Sequence, residues 1–179
     1  MSEHSASLAR MYFEMFMQMK KQLLQLDKWL ESATAYADSK KFDAKNFLSL
    51  RLVVDQFPFV RQVQAVCDVA KLGASRITGK PAPSHADDEA TMEQLRERIR
   101  STVSYLETFG AADFEKAATA SITQPRWEGK TMTGADYFLE HVIPNFFFHL
   151  TTAYALLRSS GLGIGKRDYL GALTQSPPK

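Results

Sequence analysis

The chain has 179 residues, of which 45% are apolar and 23% are charged, and this length and composition suit one domain with a sizeable core. The net charge of +2, without a basic cluster interleaved with aromatic residues, excludes nucleic acid as an expected partner. The single cysteine, Cys67, excludes an intrachain disulfide, and its apolar helical neighbours indicate a packed thiol. No apolar run is long enough for a signal-peptide core or a membrane span, so we expect a cytoplasmic protein without membrane contacts.

The first half of the chain predicts two long helices. Over about 7–38, apolar residues recur every three or four positions, which is typical of an amphipathic helix. Asp43 then caps a short helical turn. The second long helix has Pro58 in its first turn and continues to Ile77. Asp55 therefore lies at or just before that helix start, where its carboxylate serves either as a cap or in chemistry.

A third helix is predicted over about 87–109, with acidic residues at its start, where the helix dipole favours them. His85 lies in the polar loop just before it and is expected to be solvated. The stretch that follows is irregular and rich in turn residues. Within it, 121–123 and 131–133 are expected to pair as a short β-hairpin.

A fourth helix is predicted over 133–160, opened by Thr133 as its cap and bent at Pro144. Four long helices with short connections predict an all-α fold, a four-helix bundle with the hairpin placed before the last long helix. We expect one domain over 1–171 and a disordered tail over 172–179.

The fourth helix carries a polar stripe in the most apolar part of the chain. His141, Asn145 and His149 are spaced four residues apart, which aligns them along one helix face. The opposite face carries residues typical of a solvated surface: Glu140, Thr151 and Arg158. The stripe is therefore expected to point inward beside Phe148, whereas Phe147 is expected on the solvent side, where a dimer partner covers it. Buried polar groups need partners, so the stripe is either a hydrogen-bonded core network or a site.

Three segments together resemble a known family: RLVVDQFPFVRQVQ at 51–64, PNFFFH at 144–149 and GKRDYLG at 165–171. They resemble an uncharacterised, mainly bacterial family that is similar to the DinB/YfiT-like bundles, a superfamily of proposed metalloenzymes. The resemblance implies a bundle that holds a divalent metal at one end, through one histidine of the second helix and an H-x-x-x-H pair of the fourth. It also implies an activity of the thiol-dependent transferase or hydrolase type.

This sequence departs from that triad, because its second helix has no histidine and the pair on the fourth helix includes an amide. Carried onto this chain, the resemblance implies metal ligands at Asp55, Asn145 and His149, with His141 as a substitute. The expected cofactor is a divalent ion, nickel or zinc, or no metal at all, since a carboxamide oxygen is a weak ligand.

Two functions follow. In the first, the protein is a metal-dependent enzyme whose partner is an unknown small molecule or thiol. In the second, it is a metal-free bundle that binds a small ligand or self-associates as a homodimer, and Asp55, Asn145 and His149 form a hydrogen-bonded network. The resemblance favours the first function, and the lost histidines favour the second. No residue is assigned a catalytic role, since no Ser/His/Asp motif, phosphate loop or dinucleotide fingerprint is present.

Overall fold

The computed structural model describes residues 3–176 and the side chains of residues 6–176. Its helices are α1 (Glu3–Lys40), α2 (Phe59–Thr78), α3 (Met92–Leu106), α4 (Gly134–Asp136), α5 (Ile143–Ser159) and α6 (Lys166–Leu170). A π-helical stretch, Tyr137–Val142, joins α4 to α5, so that 134–159 form one continuous helical segment. Short 3-10 turns cover Ala44–Ser49, Ala111–Phe114, Ala117–Thr119 and Pro125–Trp127. The two strands are β1 (Ser121–Ile122) and β2 (Met132–Thr133).

The long helices pack as the predicted four-helix bundle. Helix α2 contacts both α3 and α5, and α1 closes the ring by contacting α3 and α5 from the other side. One apolar core fills the space between them, and Phe16 of α1 lies at its centre, stacked on Phe114 with ring centroids 5.4 Å apart. The predicted hairpin is confirmed: β1 and β2 are antiparallel, with Ser121 opposite Thr133. It leads directly into the last helical segment.

Three of the predicted helix starts can be compared with the structure. Asp43 caps its 3-10 turn through Oδ1, which accepts from the backbone N–H of Lys45 at 2.8 Å. Thr133 caps α4, accepting from the N–H of Asp136 at 3.1 Å. The predicted start of the third helix at 87 is wrong. Helix α3 begins after Thr91, whose hydroxyl accepts from the N–H of Gln94, and it ends at Leu106.

The physical reason for the late start of α3 is electrostatic. The acidic residues Asp87 and Glu89 do not sit in a first helical turn; both carboxylates accept hydrogen bonds from the buried Arg98 side chain. This holds 79–91 as an extended loop across α2 and α3. His85, predicted to be solvated, is half-buried in that loop and lies 2.6 Å from the Lys71 ammonium.

The last helical segment accommodates Pro144 by a change from α- to π-helical turns. The π-helical stretch ends two residues before the proline, so Pro144 lies where the wider π turns pass into α5, and this change of spacing accommodates its missing backbone N–H. The segment also approaches α2 closely at Gly73, because a Cβ built there would lie 2.9 Å from Cγ1 of Val142. A larger residue at 73 would therefore require the Val142 side chain or one of the two helices to shift.

Past α6 the described residues 172–176 have no regular structure, and the remainder of the predicted tail, 177–179, lies outside the described residues. Across residues 3–176, no helix combines the length and the apolar character that crossing a bilayer requires.

Candidate functional site

A cleft of about 230 Å³ lies between α2 and the 134–159 segment, next to the turn at Pro125–Trp127. Its lining is predominantly polar: Phe57, Arg61, Ala65, Asp68, Val69, Leu72, Arg76, Gln124, Arg126, Tyr137, His141, Asn145 and His149. Helix α2 runs antiparallel to the 134–159 segment, because Arg76 meets Tyr137 at one end while Gln62 meets His149 at the other. The cleft therefore has two distinct ends.

The predicted polar stripe lines this cleft. His141, Asn145 and His149 are all half-buried, so they lie at the boundary of the core and not inside it. The orientation predicted for the neighbouring phenylalanines is wrong: Phe148 is 56% exposed, and Phe147 is partly buried against the core. The solvated face is as predicted, since Glu140, Thr151 and Arg158 are exposed.

Asp55 is not part of the cleft. It lies in an exposed turn before α2, and no cap bond joins its side chain to the first turn of that helix. The group that meets His149 from α2 is instead the amide of Gln62, which is fully buried. The structure thus brings together three of the four predicted site residues and leaves the fourth at the surface.

At one end of the cleft, Arg126 fixes the tautomer of His141. The guanidinium Nη2 lies 2.7 Å from His141 Nε2, and because arginine can only donate, Nε2 accepts. The proton of the neutral imidazole is then on Nδ1, which is buried and has no partner among the described residues. Burial, followed by the positive charges of Arg126 and Arg76, lowers the pKa of His141, so the ring is a neutral donor.

Arg76 lies at the same end. Its Nη1 donates to the hydroxyl of Tyr137 at 2.8 Å, and the Tyr137 ring stacks on His141 with centroids 5.1 Å apart. In the described part of the chain, neither Arg76 nor Arg126 is paired with a carboxylate. Gln124 completes this end; it is only 7% exposed, and its amide nitrogen has no hydrogen-bond partner within residues 6–176.

At the opposite end, Gln62 fixes the tautomer of His149. The Gln62 amide nitrogen donates to the backbone carbonyl of Phe57 at 2.9 Å, which leaves the amide oxygen facing His149 Nδ1 at 2.7 Å. Nδ1 must therefore carry the proton, and the lone pair is on Nε2. Burial lowers the pKa of His149, so this imidazole is a neutral hydrogen-bond acceptor and a potential base.

Asp68 lies between the two ends of the cleft, and two cationic side chains offset the negative charge of its carboxylate. Its Oδ1 lies 2.6 Å from Arg98 Nη2 and 3.0 Å from Lys71 Nζ, and both of these cationic side chains are almost fully buried. The electrostatic character of the cleft is therefore set by its arginines.

The contacts of His85 beyond the cleft do not form a nucleophilic dyad. His85 Nε2 lies 3.1 Å from the hydroxyl of Ser101, but Nδ1 faces the Lys71 ammonium. A charged lysine donates to Nδ1, so Nε2 carries the proton and donates to the serine. This polarity is opposite to the one that activates a serine nucleophile.

The side chains of the cleft do not fit the divalent metal that the resemblance implies. Asp55 lies outside the cleft, the lone pair of His141 is taken by Arg126, and Asn145 is a weak ligand. Only His149 offers an available imidazole lone pair. Within residues 6–176, no three His, Cys, Asp or Glu side chains are grouped so that they could hold a metal ion.

The lowered pKa of His149 has a testable consequence for stability. Below about pH 6.5 the unfolded chain takes up a proton that the folded protein resists, so the free energy of unfolding should fall as the pH drops through the folded pKa. The pKa values of His85 and His141 are also lowered and act in the same direction. His149→Asn should make the fall shallower. NMR titration of the histidine ring protons measures these pKa values directly, and a His149 pKa at or above 6.5 would contradict the prediction.

Comparisons with known proteins give a matching family and a similar solved structure. The family described as Domain of unknown function (DUF1993) matches residues 11–170. The chain is similar to a DinB family member protein from Shewanella denitrificans, known from a crystal structure, with 46% sequence identity and a TM-score of 0.93. The match covers 97% of this chain and 99% of that protein. No curated protein matches the chain significantly.

Proposed function

The chain belongs to the DUF1993 family, whose description assigns no activity, and we propose from the chemistry of the cleft that it binds a small anion there. The anionic group is an oxyanion, a carboxylate or a phosphate, and it sits at the end formed by Arg76, Gln124, Arg126 and His141, which we call the arginine end. This develops the metal-free ligand-binding function expected from the sequence.

The observation that carries the proposal is an excess of donors at the arginine end. Two guanidinium groups lack a carboxylate partner, and two buried N–H groups, those of His141 Nδ1 and Gln124 Nε2, lack any acceptor among the described residues. Buried donors without acceptors are costly, and a single oxyanion supplies several acceptor sites at once. Arginine is also the side chain best suited to bind planar carboxylate and tetrahedral phosphate groups.

The size of the cleft indicates a small ligand. Its volume of about 230 Å³ is below the roughly 300–1,000 Å³ of sites that hold drug-sized molecules. The cleft is open to solvent on one side, and the exposed Phe57 ring stands at its rim. A small organic anion with some apolar surface fits these features.

Removing the two arginine charges should abolish anion binding. Charge-assisted hydrogen bonds contribute roughly 1.5–3 kcal/mol each, which is about 10- to 100-fold in affinity. We expect Arg76→Gln and Arg126→Gln each to weaken binding of phosphate or benzoate by about that factor, and the double variant to show no binding. Isothermal titration calorimetry measures the dissociation constants.

The matched control is Arg10→Gln, which removes the same charge from an exposed residue of α1. It should leave the affinity unchanged, and unchanged thermal unfolding should show that each variant is folded. Equal affinity of the wild type and the double variant for both anions would contradict the proposal. So would a failure of the wild type to bind any small carboxylate or phosphate.

One observation supports the metal-dependent enzyme as a second candidate. Many metal-binding histidines donate Nδ1–H to a buried acceptor and bind the metal through Nε2. His149 has this arrangement, with the Gln62 oxygen as the acceptor. Under this function, nickel or zinc should raise the melting temperature of the wild type but not of His149→Ala. A thiol partner and a homodimer remain predictions under either function.

A further inference from the structure

The two ends of the cleft offer opposite hydrogen-bonding functions. The arginine end presents mainly donors, those of Arg76, Arg126, His141 Nδ1 and the Gln124 amide nitrogen. The other end presents the lone pair of His149 Nε2, which has no partner among the described residues. We call this second site the histidine end; it is formed by His149 and Phe57. The eight residues from His141 to His149 correspond to about 12 Å along a helix.

The histidine end is built to hold one tautomer. Gln62 is fully buried, and its amide cannot rotate without giving up its bond to the Phe57 carbonyl. Its oxygen therefore continues to accept from His149 Nδ1, and Nε2 stays an acceptor. A neutral imidazole held in this way favours a ligand that places a hydrogen-bond donor against Nε2.

Between these ends α2 lines the cleft with three apolar side chains and with Asp68, whose charge is offset by Arg98 and Lys71. Ala65, Val69 and Leu72 are spaced four and three residues apart, so they follow one stripe of the helix. Ligand atoms between the two ends therefore pass over apolar side chains on this wall. On the opposite wall, Asn145 lies one turn from each histidine.

We infer that the ligand is bifunctional: an oxyanion bound at the arginine end, an apolar spacer, and a hydroxyl, amine or thiol group that donates to His149 Nε2. This inference rests on the proposed anion-binding function and adds a second recognition point to it. His149 then determines specificity, because it distinguishes a ligand with a terminal donor from one without.

Paired probes test the inference. Each pair has the same carboxylate and spacer and differs only in a terminal hydroxyl: benzoate and 4-hydroxybenzoate, 3-phenylpropionate and 3-(4-hydroxyphenyl)propionate, and 4-phenylbutyrate and 4-(4-hydroxyphenyl)butyrate. A neutral hydrogen bond corresponds to about a 2- to 10-fold gain in affinity. We expect at least one hydroxylated probe to bind the wild type more tightly than its partner by about this factor.

The gain should disappear in His149→Phe, which keeps an aromatic ring without the acceptor, so that both members of each pair bind this variant with similar affinity. Should this variant fold poorly, NMR of the wild type gives a second measurement. The ¹⁵N signal of His149 Nε2 should move upfield on adding the hydroxylated probe and not on adding its partner.

The outcomes separate the two proposals. Binding of the unhydroxylated carboxylates with no gain from the hydroxyl at any length, or with a gain that His149→Phe retains, overturns the inference and leaves anion binding intact. A lack of binding by all six probes overturns anion binding itself, and the inference falls with it.

Discussion

Replacing Arg98 with alanine is expected to lower the free energy of unfolding by about 3–5 kcal/mol. The Arg98 side chain is only 1% exposed and joins three carboxylates, those of Asp68 and Asp87 at 2.6 Å and that of Glu89 at 2.8 Å. These contacts tie the 79–91 loop to α2 and α3. Without the guanidinium, Glu89, which is 10% exposed, keeps a nearly buried charge with no cation to offset it.

The matched control for Arg98 lies on the same helix. Arg100 is 49% exposed and pairs with the exposed Glu93 at 2.7 Å. Surface pairs of this kind contribute about 0–1 kcal/mol, so Arg100→Ala should have little effect. Urea denaturation measures both variants. Similar losses for the two arginines would show that the network around Arg98 is not what holds the loop.

Replacing Gly134 with alanine is expected to destabilise the protein by about 3 kcal/mol. A Cβ built at Gly134 would lie 1.8 Å from the backbone carbonyl oxygen of Ala117, so the backbone itself must move to admit it. Gly134 begins the helical segment that carries Tyr137 and His141. Displacing it should therefore also disturb the arginine end of the cleft and weaken anion binding.

Gly163→Ala is the control for Gly134. Nothing lies within 4 Å of a Cβ built at Gly163, and the residue does not need a positive φ. Alanine there should leave stability within about 1 kcal/mol of the wild type, with a small gain from the stiffer unfolded chain. Thermal or urea unfolding of the two variants gives the comparison. A Gly134→Ala variant as stable as Gly163→Ala would mean that Ala117 does not constrain the start of α4.

The bundle could be predicted because its signals are local. The three- and four-residue spacing of apolar side chains predicts α1, α2, α3 and the 134–159 segment, and Asp43 and Thr133 cap their turns as expected. The early start assigned to the third helix was wrong for a non-local reason. Whether an acidic residue favours a helix N-terminus or a distant arginine depends on the fold, and Arg98 lies about ten residues further along the chain.

The candidate site was only half predictable. The spacing of His141, Asn145 and His149 predicts correctly that they share one face, but that face lies at the edge of the core. The inward face of α5 is centred on Phe146, Leu150 and Ala153, so Phe148 falls on the solvent side. The arginine end carried no sequence signal. Arg76 looks like a solvated residue near a helix end, and Gln124 and Arg126 lie in a turn that only tertiary packing brings to His141.

Asp55 shows the limit of a resemblance. It was the acidic residue closest to the position where related bundles have a histidine, but it lies in the turn before α2 and faces solvent. Gln62, in the first turn of α2, contacts His149 instead. The amide in that position holds the imidazole as a neutral acceptor, and the proposal of an anionic ligand rests on the arginine end instead.

The most direct measurement is a crystal structure of the protein grown with selenate, using the anomalous signal of selenium to locate the anion. We expect selenate between the guanidinium groups of Arg76 and Arg126, within hydrogen-bonding distance of His141 Nδ1, and its loss from crystals of the Arg76→Gln, Arg126→Gln double variant. Selenate found only elsewhere on the protein, or an arginine end whose guanidinium groups have turned away from the cleft, would contradict anion binding at this site.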